Sequence, residues 1–104
     1  MQSLKLNTVP GPARYTTRLL HDSPALRLVE FALANGQSVK PHASPATVTL
    51  VVMEGCASFL GAGGWEDQQA GAACIFEPDE VHAIEARAGA CRFLAIITPG
   101  PNAG

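Results

Sequence analysis

Turn-forming residues recur along the chain at short intervals. From Pro10 to Pro101, glycine, proline and Asn-Gly breakers leave gaps of roughly eight to twelve residues, which suit β-strands and exclude a long helix. We therefore predict an all-β domain. Strands are expected over residues 15–20, 26–33, 47–53, 56–60, 73–76, 81–86 and 91–97, with another leading to residue 42. The glycine-rich residues 61–71 are predicted to form a flexible loop.

The strand order favours a double-sheet barrel. Asn35-Gly36 is a strong hairpin signal, so the strand ending at Leu33 is expected to turn back on the strand leading to His42. About eight short strands suit a jelly-roll barrel, which protects its sheet edges by wrapping them. The alternative is a seven-stranded immunoglobulin-like sandwich. It explains the turn spacing equally well, but not why two histidines stand at the starts of strands.

Length and charge limit the possible partners. A chain of 104 residues forms one domain with one hydrophobic core. Seven basic and nine acidic residues give a net charge of −2, and no Lys/Arg cluster exists to follow a nucleic-acid backbone. No signal peptide or membrane-spanning apolar run is recognisable, so we expect a soluble cytoplasmic protein with no membrane partner. The low charged fraction, 15%, suggests a homodimer.

The single domain is expected to have distinct ends and unpaired thiols. Residues 1–12 are predicted to be an N-terminal arm or edge strand, and residues 99–104 a flexible tail. Cys56, Cys74 and Cys91 form an odd set without Cys-x-x-Cys spacing, which argues against a disulfide framework and a zinc finger. We predict that they pack as small hydrophobic residues.

Two histidines are each placed at the start of a strand. His42 lies between Pro41 and Pro45, and His82 follows the acidic segment 77–80. If the two strands face one another, the histidines meet in a pocket, where each can act as a metal ligand or a general base. Nearby carboxylates are expected to raise the pKa of His82. The alternative is that each histidine is solvated or hydrogen-bonded to backbone at the mouth of the barrel.

The two histidine-containing segments resemble the paired motifs of the cupin superfamily. Gly36, His42 and Gly55 match the first motif in spacing, and Gly71 and His82 match the second. The resemblance implies a double-stranded β-helix, that is, a jelly-roll barrel of cupin type, with a cavity for a small molecule. In metal-binding cupins, two histidines and a glutamate of the first motif and the histidine of the second enclose one ion.

This chain carries half of that ligand set. Ser44 replaces the second histidine and Val48 the glutamate; a spacing one residue longer would place Thr49 there instead. Transition ions usually require at least three protein ligands, so the metal site is degenerate. The resemblance thus implies a metal held by His42 and His82, with iron, manganese, nickel, copper and zinc as candidates. The implied ligand pocket consists of His42, Ser44, Val48, Phe76 and His82.

Three functions remain open. The leading hypothesis is a small-molecule-binding cupin whose metal site is degenerate. The alternative is a small enzyme, either a metal-dependent dioxygenase or isomerase, or a metal-free isomerase using the histidines as acid and base. The third is an oligomerisation module without a ligand. Its interior would be filled by large apolar side chains, for which the sequence offers Val48, Leu50, Val52, Phe76, Ile84 and Phe93.

Two further residues stand out. Glu30 interrupts an apolar strand, and because a buried acid is costly unless paired, we predict that it faces solvent; the alternative is a role in the site. Trp65, the only tryptophan, is predicted to act as a lid over the pocket or as a dimer contact.

Overall fold

Eight β-strands make up the regular structure of the computed structural model, which describes residues 1–101. They are β1 (Thr16–Asp22), β2 (Arg27–Leu33), β3 (Ser38–His42), β4 (Thr47–Gly61), β5 (Gly64–Gln69), β6 (Ala73–Phe76), β7 (His82–Glu85) and β8 (Cys91–Thr98). All strand pairs are antiparallel, and residues 1–101 contain no helix, so the all-β prediction is confirmed. It follows that no helix in these residues is long and apolar enough to cross a membrane.

The long strand β4 connects two curled sheets. Its first half pairs with β8 and β6, and β8 continues to β2 and β1. Its second half pairs with β5 and β7, and β7 continues to β3. Gly55 lies between the two halves with a φ of +76° and follows an irregularity in the β4–β8 register. The segments predicted as separate strands before and after Gly55 are therefore one strand, because this glycine bends the strand without ending it.

Apolar residues fill the space between the two sheets. Period-two alternation points Val48, Leu50 and Val52 into the core. There they belong to one buried cluster with side chains from β2, β3, β6, β7 and β8. The six residues proposed above as filling the interior are all buried. Each such side chain contributes about 1.5–3 kcal/mol through burial. The centre of the barrel is thus packed.

The turn at Asn35-Gly36 forms, but the hairpin predicted there does not. Gly36 has a φ of +87°, and the Gln37 N–H donates to the Ala34 carbonyl oxygen (3.0 Å). However, β2 pairs with β1 and β8, whereas β3 pairs with β7. The reason is that the turn bonds to the residue after β7: the Gly36 N–H donates to the Ala86 carbonyl oxygen (2.7 Å). The turn therefore carries the chain from one sheet to the other.

The glycine-rich segment predicted as a loop contains a strand. Residues 64–69 form β5 and pair with the second half of β4 across a short turn. Trp65 lies on this strand, 40% exposed, with the Arg87 guanidinium stacked 4.2 Å from the centre of its ring. The eight observed strands thus differ from the predicted set, because two segments merge into β4 and β5 is added.

The N-terminal arm covers an outer face of the first sheet. Residues 1–10 form no strand but bond to β1 and β2, including an Arg18 guanidinium to the Lys5 carbonyl and the Thr8 N–H to Glu30 Oε1 (2.8 Å). Glu30 is 0% exposed and forms ion pairs with Arg18 (3.5 Å) and Arg92 (3.8 Å). The prediction that Glu30 faces solvent is wrong, because the arm buries it and two arginines compensate its charge.

The segment after β8 is partly docked. Gly100 is buried and donates its N–H to the Pro24 carbonyl oxygen (3.1 Å). A methyl group at Gly100 would approach within 2.0 Å of the Ser23 carbonyl oxygen, so this contact requires glycine. Gly100 thus contacts the segment between β1 and β2, residues 102–104 lie outside the described part of the chain, and the flexible tail over residues 99–104 stays a prediction.

Candidate functional site

The fold brings the two motif histidines into contact. β3 ends at His42 and β7 begins at His82, and because the strands are antiparallel neighbours the two residues are paired across them. Their ring centres are 4.1 Å apart with an angle of 62° between the planes. Two residues 40 positions apart in sequence therefore form one imidazole pair.

Both imidazoles are held by a backbone carbonyl two residues upstream. His42 Nδ1 lies 2.9 Å from the Lys40 carbonyl oxygen, and His82 Nδ1 lies 3.1 Å from that of Glu80. A carbonyl oxygen only accepts hydrogen bonds, so each Nδ1 carries the proton and donates it. In the neutral rings, the lone pair is on Nε2. This arrangement orients Nε2 of each ring as a base or a metal ligand.

The two histidines differ in environment. His82 is 3% exposed and stacks on Phe76, with ring centres 4.8 Å apart, whereas His42 is exposed. Burial lowers the pKa of His82, the bond to the Glu80 carbonyl opposes this, the nearby His42 lowers it further, and the Glu80 carboxylate raises it slightly. The Glu80 carboxylate thus acts in the predicted direction, but burial outweighs it, so the pKa of His82 is lowered and not raised.

Glu80 stabilises the backbone next to the histidine pair. Its carboxylate accepts hydrogen bonds from the N–H groups of Ala62 and Glu77, both at 2.9 Å. These two bonds are the main reason that the pKa of Glu80 is lowered. The carboxylate therefore stays ionised and fixes the turn that leads into β7.

The other expected pocket residues occupy different places. Phe76 contacts His82, but Ser44 lies in the turn after β3, where its hydroxyl accepts the Ala46 N–H (3.1 Å). Val48 is buried in β4, paired with Phe76 across the sheet. The structure thus brings together His42, Phe76 and His82. Within residues 1–101, no group of three or more His, Cys, Asp or Glu side chains is arranged to hold a metal ion.

An open groove lies beside His42. Its volume is about 740 Å³, within the range typical of small-molecule sites. It lies between the segment that precedes β1, Phe31 of β2, and β3 with the turn before it. Its lining consists of Ala13, Arg14, Tyr15, Phe31, Gly36, Gln37, Ser38, Val39, Lys40, Pro41 and His42. The open space next to the histidine pair is therefore at the mouth of the barrel and not at its packed centre.

Comparison with known proteins identifies the architecture. No protein-family model and no curated protein sequence matches the chain. Among solved structures, it is similar to an RmlC-like cupin protein from Desulfovibrio desulfuricans, with 25% identity and a TM-score of 0.86 over 95% of this chain and 97% of that one. This chain is a member of the cupin superfamily.

Further cupin-type structures share the fold. A Klebsiella pneumoniae protein with a double-stranded β-helix domain matches at 24% identity and a TM-score of 0.82, over 91% of this chain and 84% of that one. KdgF from a Halomonas species matches at 16% identity and a TM-score of 0.78, over 85% of this chain and 81% of that one. At these identities the likeness establishes the fold, and the predicted cupin-type barrel is confirmed.

Two aromatic residues of the groove were missed by the sequence analysis of this cupin. Phe31 stacks on the buried Phe93 with ring centres 4.9 Å apart and planes inclined by 9°, and Tyr15 stacks on Phe31 at 5.9 Å. The rings thus continue from the core into the groove. Neither ring lies in a histidine motif, and the only signal in the sequence was the apolar alternation of Val29, Phe31 and Leu33.

Two of the three thiols, those of Cys74 and Cys91, are not activated as nucleophiles. Cys91 is buried, and its pKa is raised to about 11 by burial and by the neighbouring Cys56. Burial and Glu66 also raise the pKa of Cys74, which is half-buried and packs against the core. Thiols with raised pKa values are poor nucleophiles at neutral pH. The prediction that the cysteines pack as hydrophobic residues is confirmed for Cys91.

Proposed function

We propose that this cupin binds a small molecule in the groove beside His42 and that its histidine pair is an incomplete metal site. One observation carries the proposal: an open volume of about 740 Å³ borders the exposed member of an oriented imidazole pair. Concave sites with apolar walls and a few convergent polar groups are the usual places for small ligands. The centre of the barrel is occupied by one cluster of buried apolar side chains, whereas the groove is open.

The donor set does not fit a closed metal site. The two imidazole rings are in contact, but Ser44 caps a turn and Val48 is buried among apolar side chains. A serine hydroxyl stays protonated at neutral pH and valine has no donor, so neither completes the usual three or four ligands. Iron, manganese, nickel, copper or zinc would therefore need ligands from solvent or from the bound molecule.

A metal-free isomerase is the second candidate function. The two imidazoles touch, and the lowered pKa of His82 keeps this ring neutral near pH 7, as a general base requires. His42, on the groove side, is placed to meet the ligand first. Proton transfer between two carbon positions of a ligand is the reaction that such a pair is suited to support.

Metal content and ligand binding test the proposal together. Protein purified without an affinity tag is analysed for metals and then screened against small molecules by thermal shift, with the His42→Ala/His82→Ala variant in parallel. We expect less than stoichiometric metal and ligands that stabilise the fold. Stoichiometric metal that is lost in the double variant would replace this proposal with the metal-dependent dioxygenase or isomerase.

The position of the incomplete site can be tested by restoring its ligands. Ser44→His with Val48→Glu should raise the affinity for zinc or nickel sharply if these positions face the histidine pair. Val48→Glu alone is the control, because it adds a buried carboxylate without the third imidazole. Unchanged metal affinity in the double variant would show that Ser44 and Val48 do not correspond to metal ligands.

The oligomerisation module stays as a third reading. Its expected signature, a filled interior, agrees with the burial of all six residues named for it. The groove is the observation that favours a ligand-binding role instead. The homodimer and the cytoplasmic location stay predictions. For the dimer, the exposed apolar side chains Met53 and Ile75 lie on the two neighbouring strands β4 and β6.

A further inference from the structure

We propose that the ligand of the groove is a ring-containing carboxylate, with its ring against Tyr15 and its carboxylate at Arg14 and Lys40. This inference rests on the proposed binding function and narrows it to a chemical class. It follows from two features of the groove, its charge and its aromatic wall.

The groove is positively charged in an acidic protein. Its lining includes Arg14 and Lys40 but no aspartate or glutamate, although the chain has a net charge of −2. A concave surface that carries one sign of charge concentrates ligands of the opposite sign. The groove is thus the wrong place for a cationic ligand and a favourable one for an anion.

The two groove cations also lack carboxylate partners. Within residues 1–101, ion pairs to aspartate or glutamate are formed by Arg18, Arg27, Arg87 and Arg92. Arg14 and Lys40 form none, and both border the groove. Their charges are therefore available to an incoming anion, and an arginine can bind both oxygens of a carboxylate.

The aromatic wall selects the rest of the ligand. Phe31 is fixed by its near-parallel stack on Phe93, and Tyr15 lies over Phe31, so the rings are held before a ligand arrives. A planar ligand gains stacking on such a wall without ordering it. A neighbouring depression of about 530 Å³ shares Ala13, Arg14 and Tyr15 with the groove, so Arg14 borders both spaces. A flat ring with one carboxylate matches this arrangement.

The test compares two probes of equal shape. 2-Naphthoate and the neutral 2-naphthamide are titrated into ¹⁵N-labelled protein, and the shifts of groove amides give each dissociation constant. We expect 2-naphthoate to bind about tenfold more tightly, the ratio that one well-placed surface charge interaction produces. Added sodium chloride should weaken the binding of naphthoate and leave naphthamide unchanged.

Charge-matched variants locate the effect. Arg14→Gln/Lys40→Gln should remove the advantage of naphthoate while keeping the affinity for naphthamide, which also shows that the groove is intact. Lys5→Gln/Arg87→Gln is the control, since it removes the same charge from residues outside the groove lining. Tyr15→Leu should weaken both probes alike.

The outcomes separate the two proposals. Equal affinities for the two probes, unaffected by Arg14→Gln/Lys40→Gln, would overturn the carboxylate inference and leave the proposed binding function standing. Groove amides that respond to neither probe at about 10 mM, well above a dissociation constant of about 1 mM, would overturn both.

Discussion

Gly55 is the corner at which β4 passes from one sheet to the other, and we predict that Gly55→Ala strongly destabilises the fold. The residue has a φ of +76°, and an added Cβ would lie 2.2 Å from the Ala90 carbonyl oxygen and 3.1 Å from Cys91 Cα. Both neighbours are backbone atoms next to or within β8. The Ala90 carbonyl oxygen would have to move by about 1 Å to restore an ordinary C···O contact of about 3.3 Å.

The magnitude follows from two costs. A positive φ costs a residue with a Cβ about 1–2 kcal/mol, and forcing a methyl group against packed backbone costs about 1–3 kcal/mol. We therefore expect the free energy of unfolding to fall by about 3 kcal/mol for Gly55→Ala. Since 1 kcal/mol corresponds to about 4 °C in a domain of this size, the melting temperature should fall by about 12 °C.

Gly36→Ala is the matched control. Gly36 also has a positive φ, +87°, but an added Cβ would have nothing within 4 Å. Gly36→Ala therefore has the same backbone cost as Gly55→Ala, and both substitutions lower the entropy of the unfolded chain equally. These two effects cancel when the variants are compared. Urea unfolding followed by circular dichroism should place Gly55→Ala about 2 kcal/mol below Gly36→Ala, the middle of the range for steric overlap. Equal unfolding midpoints would refute the steric argument.

Three further predictions concern the pH dependence, the buried acid and the oligomeric state. Because burial lowers the pKa of His82 below its ordinary 6.5, the unfolded chain binds more protons, so stability should fall as the pH drops below about 6.5 and level off beneath the folded pKa. His42→Ala should raise the pKa of His82 in an NMR titration, and an unchanged value would contradict the coupling. Glu30→Ala should cost about 3 kcal/mol in urea unfolding because it leaves Arg18 unpaired, leaves Arg92 with Glu54 alone and removes the acceptor of the Thr8 N–H, whereas Glu30→Gln should cost less because it keeps that acceptor; equal costs would show that the acceptor contributes nothing. Light scattering should give a dimer that Ile75→Glu dissociates, and a wild-type monomer would contradict the homodimer.

Local signals predicted much of the fold because they depend on neighbours in sequence. Turn residues and β-branched runs predicted strands β1, β2, β6, β7 and β8 close to their observed bounds, and predicted β4 as two segments. Glycine and histidine spacing indicated the cupin fold and predicted that His42 and His82 would meet. The failures occurred where pairing partners are distant. Asn35-Gly36 forms the expected turn, but its backbone bonds to Ala86 and not across a hairpin.

The sequence by itself determined where the chain turns, which strand faces are apolar and where the two histidines stand, because these properties depend on backbone preference and period-two alternation. Only the tertiary structure decided which sheet each strand joins, that Glu30 is buried beside two arginines, and that burial outweighs the carboxylates around His82. It also assembled the groove, whose Tyr15, Phe31 and Lys40 come from separate segments of the chain. These features depend on which surfaces exclude water from one another, and that is fixed only when distant segments pack together.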